Sequence, residues 1–218
     1  MRCVGSTVCA LAFVSTATAA NEQWLDFEGK TGPGKGKRIV LMSGDEEYRS
    51  EESLPMLAKI LSERHGFDCR VLFSFDAEKG IVDPNLHGNT PGMESLGAAD
   101  VLIIATRFRE LPPEQYAHLG NYLNAGKPVV GLRTATHAFT GEATFQNLKW
   151  SEFGLRILGE QWISHHGRHK REGTRGIIVE ANATHPILNG VADVFGPSDV
   201  YTVKSLTGAE TMLLRGAV

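Results

Sequence analysis

Residues 128–139 read Pro-Val-Val-Gly-Leu-Arg-Thr-Ala-Thr-His-Ala-Phe. Val129, Val130 and Leu132 make a short apolar run, as expected of a strand covered on both faces of a parallel sheet. Gly131 lets the backbone pass a close neighbour without a side chain in the way. Arg133, Thr134, Thr136 and His137 then supply a guanidinium, two hydroxyls and an imidazole within one turn. In an open α/β sheet, ligands bind at the carboxyl ends of the strands. The stretch predicts a central strand delivering polar groups to such an edge. The competing reading is an ordinary strand-to-helix loop.

Working outward, residues 38–44 (Arg-Ile-Val-Leu-Met-Ser-Gly) predict a first strand, residues 67–75 a second and residues 100–106 (Asp-Val-Leu-Ile-Ile-Ala-Thr) a third. Between the first two, Leu54, Leu57 and Leu61 recur at helical spacing, with Pro55 in the first turn and His65-Gly66 as the stop. A second helix starts near Pro112-Pro113-Glu114, puts Tyr116, Leu119 and Leu123 on one face and ends at Gly126. Strands alternating with helices predict an α/β fold with a doubly wound parallel sheet, and right-handed crossovers place helices on both faces. Residues 76–92, rich in Gly, Pro, Asp and Asn, are long for a connection and predict a binding loop or a mobile one. Beyond Phe139 the pattern loosens. It suggests a short helix before Gly159 and strands at residues 160–165, 176–180, 199–203 and 211–215.

A chain of 218 residues, 42% hydrophobic and 22% charged, can bury a full core as one domain. The formal charge of −3 and the lack of aromatic-basic interleaving give no case for nucleic acid. Arg2, an apolar run over residues 4–14 and Ala17-Thr18-Ala19 read as a signal peptide at residues 1–19. The run is shorter than the ~20 residues that span a bilayer, so secretion or a periplasmic location is expected, with no membrane attachment after cleavage. Cleavage removes Cys3 and Cys9 and leaves Cys69, read as a small buried hydrophobe. Residues 20–36 read as an extended leader. Within it, Gly29-Lys30-Thr31 lacks the first glycine and the preceding strand of a phosphate loop.

The loops after the first, third and fourth strands carry Asp45, Glu46, Glu47, Tyr48 and Arg49, then Arg107 and Arg109, then Arg133, Thr134, Thr136 and His137. Side by side, they would line a cleft able to hydrogen-bond a polyol and to place a general acid or base against it. Charged loops that merely face solvent are the plain alternative. His165, His166 and His169 stand at spacings of one, three and four, which do not match the helical zinc motif. No metal is assigned to them, and no motif identifies a cofactor. His165 or His166 is read instead as a cleft-lining group, because imidazole titrates near neutral pH.

Several segments together resemble the ThuA-like family, named for trehalose utilisation, in its secreted, planctomycete-type form. They are Leu41-Met-Ser-Gly-Asp45-Glu46-Glu47-Tyr48, Ala99-Asp100-Val-Leu-Ile-Ile, residues 126–137, Leu158-Gly-Glu-Gln-Trp162, His165-His166-Gly167 and Thr184-His185-Pro186-Ile-Leu. The resemblance implies a flavodoxin-like, class I glutamine amidotransferase-like fold over residues 37–218. Members continue past a strand like that at 211–215, which implies a domain cut short at its C-terminus. In class I amidotransferases the strand before such a turn leads into Gly-x-Cys-x-Gly. Here Gly131-Leu132-Arg133-Thr134-Ala135 puts arginine where the nucleophile would stand, and arginine forms no acyl intermediate. Many members carry a histidine where this chain has Arg133.

The implied role is carbohydrate utilisation, with a keto-sugar or related glycoside as substrate class. Proton transfer is expected from Asp45 or Glu46 and from His137 or His166. Tyr48, Arg107, Arg133, Thr134, Thr136 and His165 are expected to hold the substrate. A non-catalytic carbohydrate-binding or accessory domain is the alternative, and homo-oligomerisation is left open.

Overall fold

Five strands, Trp24–Phe27 (β1), Arg38–Gly44 (β2), Asp68–Leu72 (β3), Val101–Thr106 (β4) and Val129–Gly131 (β5), form one sheet in the order β1-β3-β2-β4-β5. The computed structural model describes residues 23–203 and 208–218, so the signal-peptide expectation lies outside the described residues. β2, β3, β4 and β5 pair in parallel, and β1 joins the edge antiparallel to β3. The register pairs Gly44 with Thr106 and Ile104 with Gly131, so the carboxyl ends of β2, β4 and β5 stand side by side as expected.

The period-2 alternation of β2 divides the core. Ile39 and Leu41 face the helix Ser50–His65 (α1), where Leu54 and Ala58 are buried. Val40 and Met42 face the helix Pro113–Asn124 (α2), which buries Tyr116, Leu119 and Tyr122. Each face is therefore closed by a helix. On the α2 side Trp150 stacks on Tyr116 at 4.7 Å, and Phe139 meets Phe153 edge-on at 5.2 Å. These aromatic residues after β5 belong to the main core, and they anchor the segment that follows the polar turn.

α1 starts earlier than its leucine spacing suggests, so Pro55 lies in its second turn. The helix ends at Gly66, whose φ of 81° is the left-handed cap that glycine adopts without strain. The stretch read as a leader is packed here. Gly29 donates its N–H to Asp68 Oδ1 at 2.8 Å, and β1 is clamped by a bidentate Arg70–Asp26 pair at 2.7 and 2.8 Å.

After β5 come a 3-10 turn, Arg133–His137, and a short π-helical turn, Gly154–Leu158. A Cβ on Gly154 would overlap the backbone carbonyl oxygen of Thr136, so only glycine lets these two turns touch. Beyond them, Trp162–His166 (β6) pairs antiparallel with Val200–Val203 (β9). Thr174–Ile178 (β7) lies between Val194–Gly196 (β8) and Leu214–Ala217 (β10). β8 was not expected, and β10 begins later than the strand expected at 211–215. Among the described residues no helix is long and apolar enough to cross a membrane.

Candidate functional site

The loop leaving β2 is built by its own side chains. Ser50 Oγ accepts the N–H groups of Gly44 and Asp45 at 3.0 and 2.8 Å. Asp45 is buried, and its Oδ1 accepts the N–H groups of Glu47 and Tyr48 at 3.0 and 3.2 Å. Its Oδ2 accepts the Thr134 hydroxyl at 2.6 Å. Asp45 and Thr134 thus tie the β2 loop to the β5 turn, and both are fully engaged inside the protein. Glu46 is clamped by the guanidinium groups of Arg107 and Arg109, the second at 2.6 Å. Arg109 is wholly buried and also donates to the carbonyls of Pro84 and Leu86 at 3.0 and 2.8 Å. The long loop at residues 76–92 is therefore pinned from beneath by Arg109.

Arg133 takes a positive φ of 39°, unusual for a side chain with a Cβ. Its guanidinium lies between the rings of Tyr48 and Tyr201, 4.6 and 4.1 Å from their centroids. Nη2 donates to Tyr48 Oη at 2.7 Å, and Nη1 donates to the Asp199 carbonyl at 2.6 Å. Four residues on, His137 sits among Phe108, Trp162 and Tyr201, with centroids 5.0, 5.0 and 5.7 Å away. Thr136 Oγ1 lies 3.2 Å from His137 Nδ1, and Nε2 has no hydrogen-bond partner among the described residues. Arg107 lies over the Phe108 ring at 5.0 Å.

Burial is the main force lowering the His137 pKa, to about 4. Arg107, His165 and Arg133 push the same way, and Glu47 opposes them. The imidazole is neutral at physiological pH. The unfolded chain takes up its proton near 6.5 and the folded chain only near 4. Protonation between those values favours unfolding, so this contribution to stability is complete above pH 6.5 and falls as the pH drops towards 4. Allowing for solvent screening, wild type should lose about 1–2 kcal/mol more than His137→Gln over that window. Urea midpoints of both proteins at each end of the window check this, and equal losses would remove the assigned shift.

The β6–β9 register pairs His165 with Tyr201 and His166 with Val200, so His165 and His166 face opposite sides. Asp199 is two residues before Tyr201 and meets His165, whose Nδ1 lies 2.7 Å from Asp199 Oδ2. His169 Nδ1 is 3.1 Å from Asp199 Oδ1, and its Nε2 is 3.1 Å from Glu47 Oε1. Arg133 Nη2 and Ser198 Oγ also reach Asp199 Oδ1, at 3.1 and 3.0 Å. Burial would raise the Asp199 carboxyl, but hydrogen bonds from His169, Ser198 and His165 outweigh it and hold the group down at about 2. Burial likewise opposes ionisation of Glu47, yet His169, Lys170 and Arg107 lower its pKa.

His166 instead lines a cavity of about 810 Å³ with Thr136, Glu160 and Thr202. That cavity does not include Asp45, Glu46 or His137. The four residues expected to transfer protons are therefore not gathered around one space. Of the expected substrate-holding residues, Tyr48, Arg133 and His165 converge on Asp199 and its neighbours, Arg107 stands beside Glu46 and Glu47, and Thr134 is buried. Thr136 buttresses His137. Asp199 was missed, because a lone Ser-Asp before a strand gives no sign of which strand will pair beside it. Cys69 is buried in β3, and burial pushes its thiol up to about 12, as the reading of it as a small buried hydrophobe expects. Comparison with protein-family models, curated proteins and solved structures returns no match.

Proposed function

We propose that this chain is a ThuA-like protein with a flavodoxin-like, class I glutamine amidotransferase-like fold, secreted or periplasmic, that acts on a sugar or keto-glycoside by non-covalent acid/base chemistry. The observation that carries this reading is the setting of His137. A neutral imidazole whose Nε2 has no hydrogen-bond partner among the described residues stands among Phe108, Trp162 and Tyr201, with Arg107 over one face of Phe108 and Arg133 over one face of Tyr201. Aromatic faces suit the C–H faces of a pyranose, and guanidinium groups suit its hydroxyl or carbonyl oxygens. A neutral imidazole can accept a proton at physiological pH. The arginine at the turn where amidotransferases carry cysteine supports a route without an acyl intermediate.

The binding-domain alternative has its own support: Asp45 and Glu46 are fully engaged by Thr134, Arg107 and Arg109. One experiment separates the two. The mature protein is incubated with disaccharides and with their keto derivatives, and products and thermal stability are followed together. Turnover of a keto-disaccharide is the expected result. Stabilisation without product would assign a binding domain, and the absence of both turnover and stabilisation would remove the carbohydrate reading.

A further inference from the structure

We propose that His165, His169 and Asp199 form a binding site for a divalent transition-metal ion, with Glu47 as the outer-sphere group that orients His169. Their donor atoms all lie within 4.8 Å of one another. The site goes beyond the sugar reading and does not depend on it.

The hydrogen-bonding capacity of His169 makes the case. Its Nδ1 faces Asp199 Oδ1 and its Nε2 faces Glu47 Oε1, both at 3.1 Å. A neutral imidazole has a single N–H and can donate to only one of these carboxylates. The lone pair of the other nitrogen would then face a carboxylate oxygen unless a metal ion takes up that lone pair or the ring carries a second proton. His165 brings a second imidazole to the same place, with the two ring centroids 3.9 Å apart and its Nδ1 directed at the other oxygen of Asp199. Two imidazoles packed on one buried carboxylate would repel each other as imidazolium ions. A metal ion turns the same arrangement into two nitrogen ligands and one oxygen ligand.

The surroundings match a metal site's outer sphere. A metal-bound histidine usually donates its other N–H to a carboxylate, which is the place Glu47 takes at Nε2. A ligating carboxylate is itself usually hydrogen-bonded, and Asp199 Oδ1 receives Ser198 and Arg133. Oδ2 remains for the metal. Zinc bonds of roughly 2.0–2.2 Å in a tetrahedral site put neighbouring donors about 3.3–3.6 Å apart, so the present 2.7 Å contact would open by more than half an ångström and the wider pairs, up to 4.8 Å, would close. Three protein ligands of this kind suit Zn²⁺, with a fourth position left for water or a substrate oxygen.

The backbone explains why these groups meet. β6 brings His165, the antiparallel register sets Asp199 on the same face, and Gly167, with φ 97°, turns the chain so that His169 comes back over it. Spacing along the sequence could not reveal the set, because its carboxylate stands just before β9, the strand that pairs with β6.

Zn²⁺ titration of the mature full-length protein, followed by calorimetry and by competition with a chromophoric chelator, tests the proposal. One ion per chain is expected, with proton release and a rise in thermal stability. His165→Ala, His169→Ala and Asp199→Ala should each abolish saturable binding, while His118→Ala on α2 should retain it. Glu47→Gln should keep the fold and weaken binding by about 10–100-fold. Co²⁺ substitution of the wild type gives a second measurement that does not depend on the folding of the alanine variants, and the visible spectrum of a site with imidazole nitrogens is expected. No saturable binding to folded wild type, or binding insensitive to His169 and Glu47 in folded variants, would overturn the proposal and leave protonated imidazoles as the explanation of the cluster.

Discussion

Arg109→Ala is expected to be the most damaging single change to the fold, costing about 3–5 kcal/mol. Arg109 is wholly buried and satisfies four groups from three places: Glu46 after β2, Ser74 after β3, and the Pro84 and Leu86 carbonyls in the long loop. Removing it leaves a carboxylate short of a partner and two carbonyls without their donor, and opens a cavity under the loop. Removing one partner of a buried ion pair costs far more than the pair is worth against an apolar replacement. Glu46→Gln should cost less, because Arg109 keeps its carbonyl acceptors and the amide oxygen can still accept. Urea unfolding of the three proteins decides it. A loss below about 1 kcal/mol for Arg109→Ala would mean that water replaces the guanidinium at little cost, and that the loop is not held from below.

The second large effect follows if the proposed acid/base function holds. His137→Gln should lower turnover of the responsive keto-disaccharide by about 10²–10⁴-fold, the range for loss of a positioned general base. KM should change little, because the aromatic walls remain. Trp162→Ala should do the reverse, raising KM more than it lowers kcat, since it removes a wall and spares the imidazole. A His137→Gln protein with wild-type turnover would take proton transfer away from this residue.

The parallel part of the fold was legible because it is made of short-range signals. Apolar runs of strand length alternate with leucines at helical spacing, and Gly66 stops α1 where the sequence placed the stop. β1 gave no such signal. Trp24, Leu25 and Phe27 are large and apolar, but they do not alternate and stand in a stretch otherwise poor in core-type residues, and the strand depends on its ladder with β3 and on the Arg70–Asp26 pair. The antiparallel strands after Gly159 are short and partly exposed, so periodicity carried little information about them.

The candidate site was legible in the placement of its loops and less so in the partners of its side chains. The loops after β2, β4 and β5 do meet at one sheet edge. Asp45 and Glu46 looked like free carboxylates because a sequence shows charge and hides partners. Thr134 and the Glu47 and Tyr48 amides take up the first, and two arginines take up the second. His166 looked equivalent to His165, but one step along a strand reverses the face, and only pairing with β9 shows which face meets Asp199.

Arg133 joins the parallel sheet, through Tyr48, to the β6–β9 ladder, through Asp199 and Tyr201. It is a mechanical tie between two layers that share no strand. Tyr201 also touches the His137 ring, so a small rocking of the ladder against the sheet would be transmitted to the imidazole within a single side-chain contact. Arg133 thus works as joinery, and with the Tyr201–His137 contact it links the posture of the outer ladder to the geometry around His137.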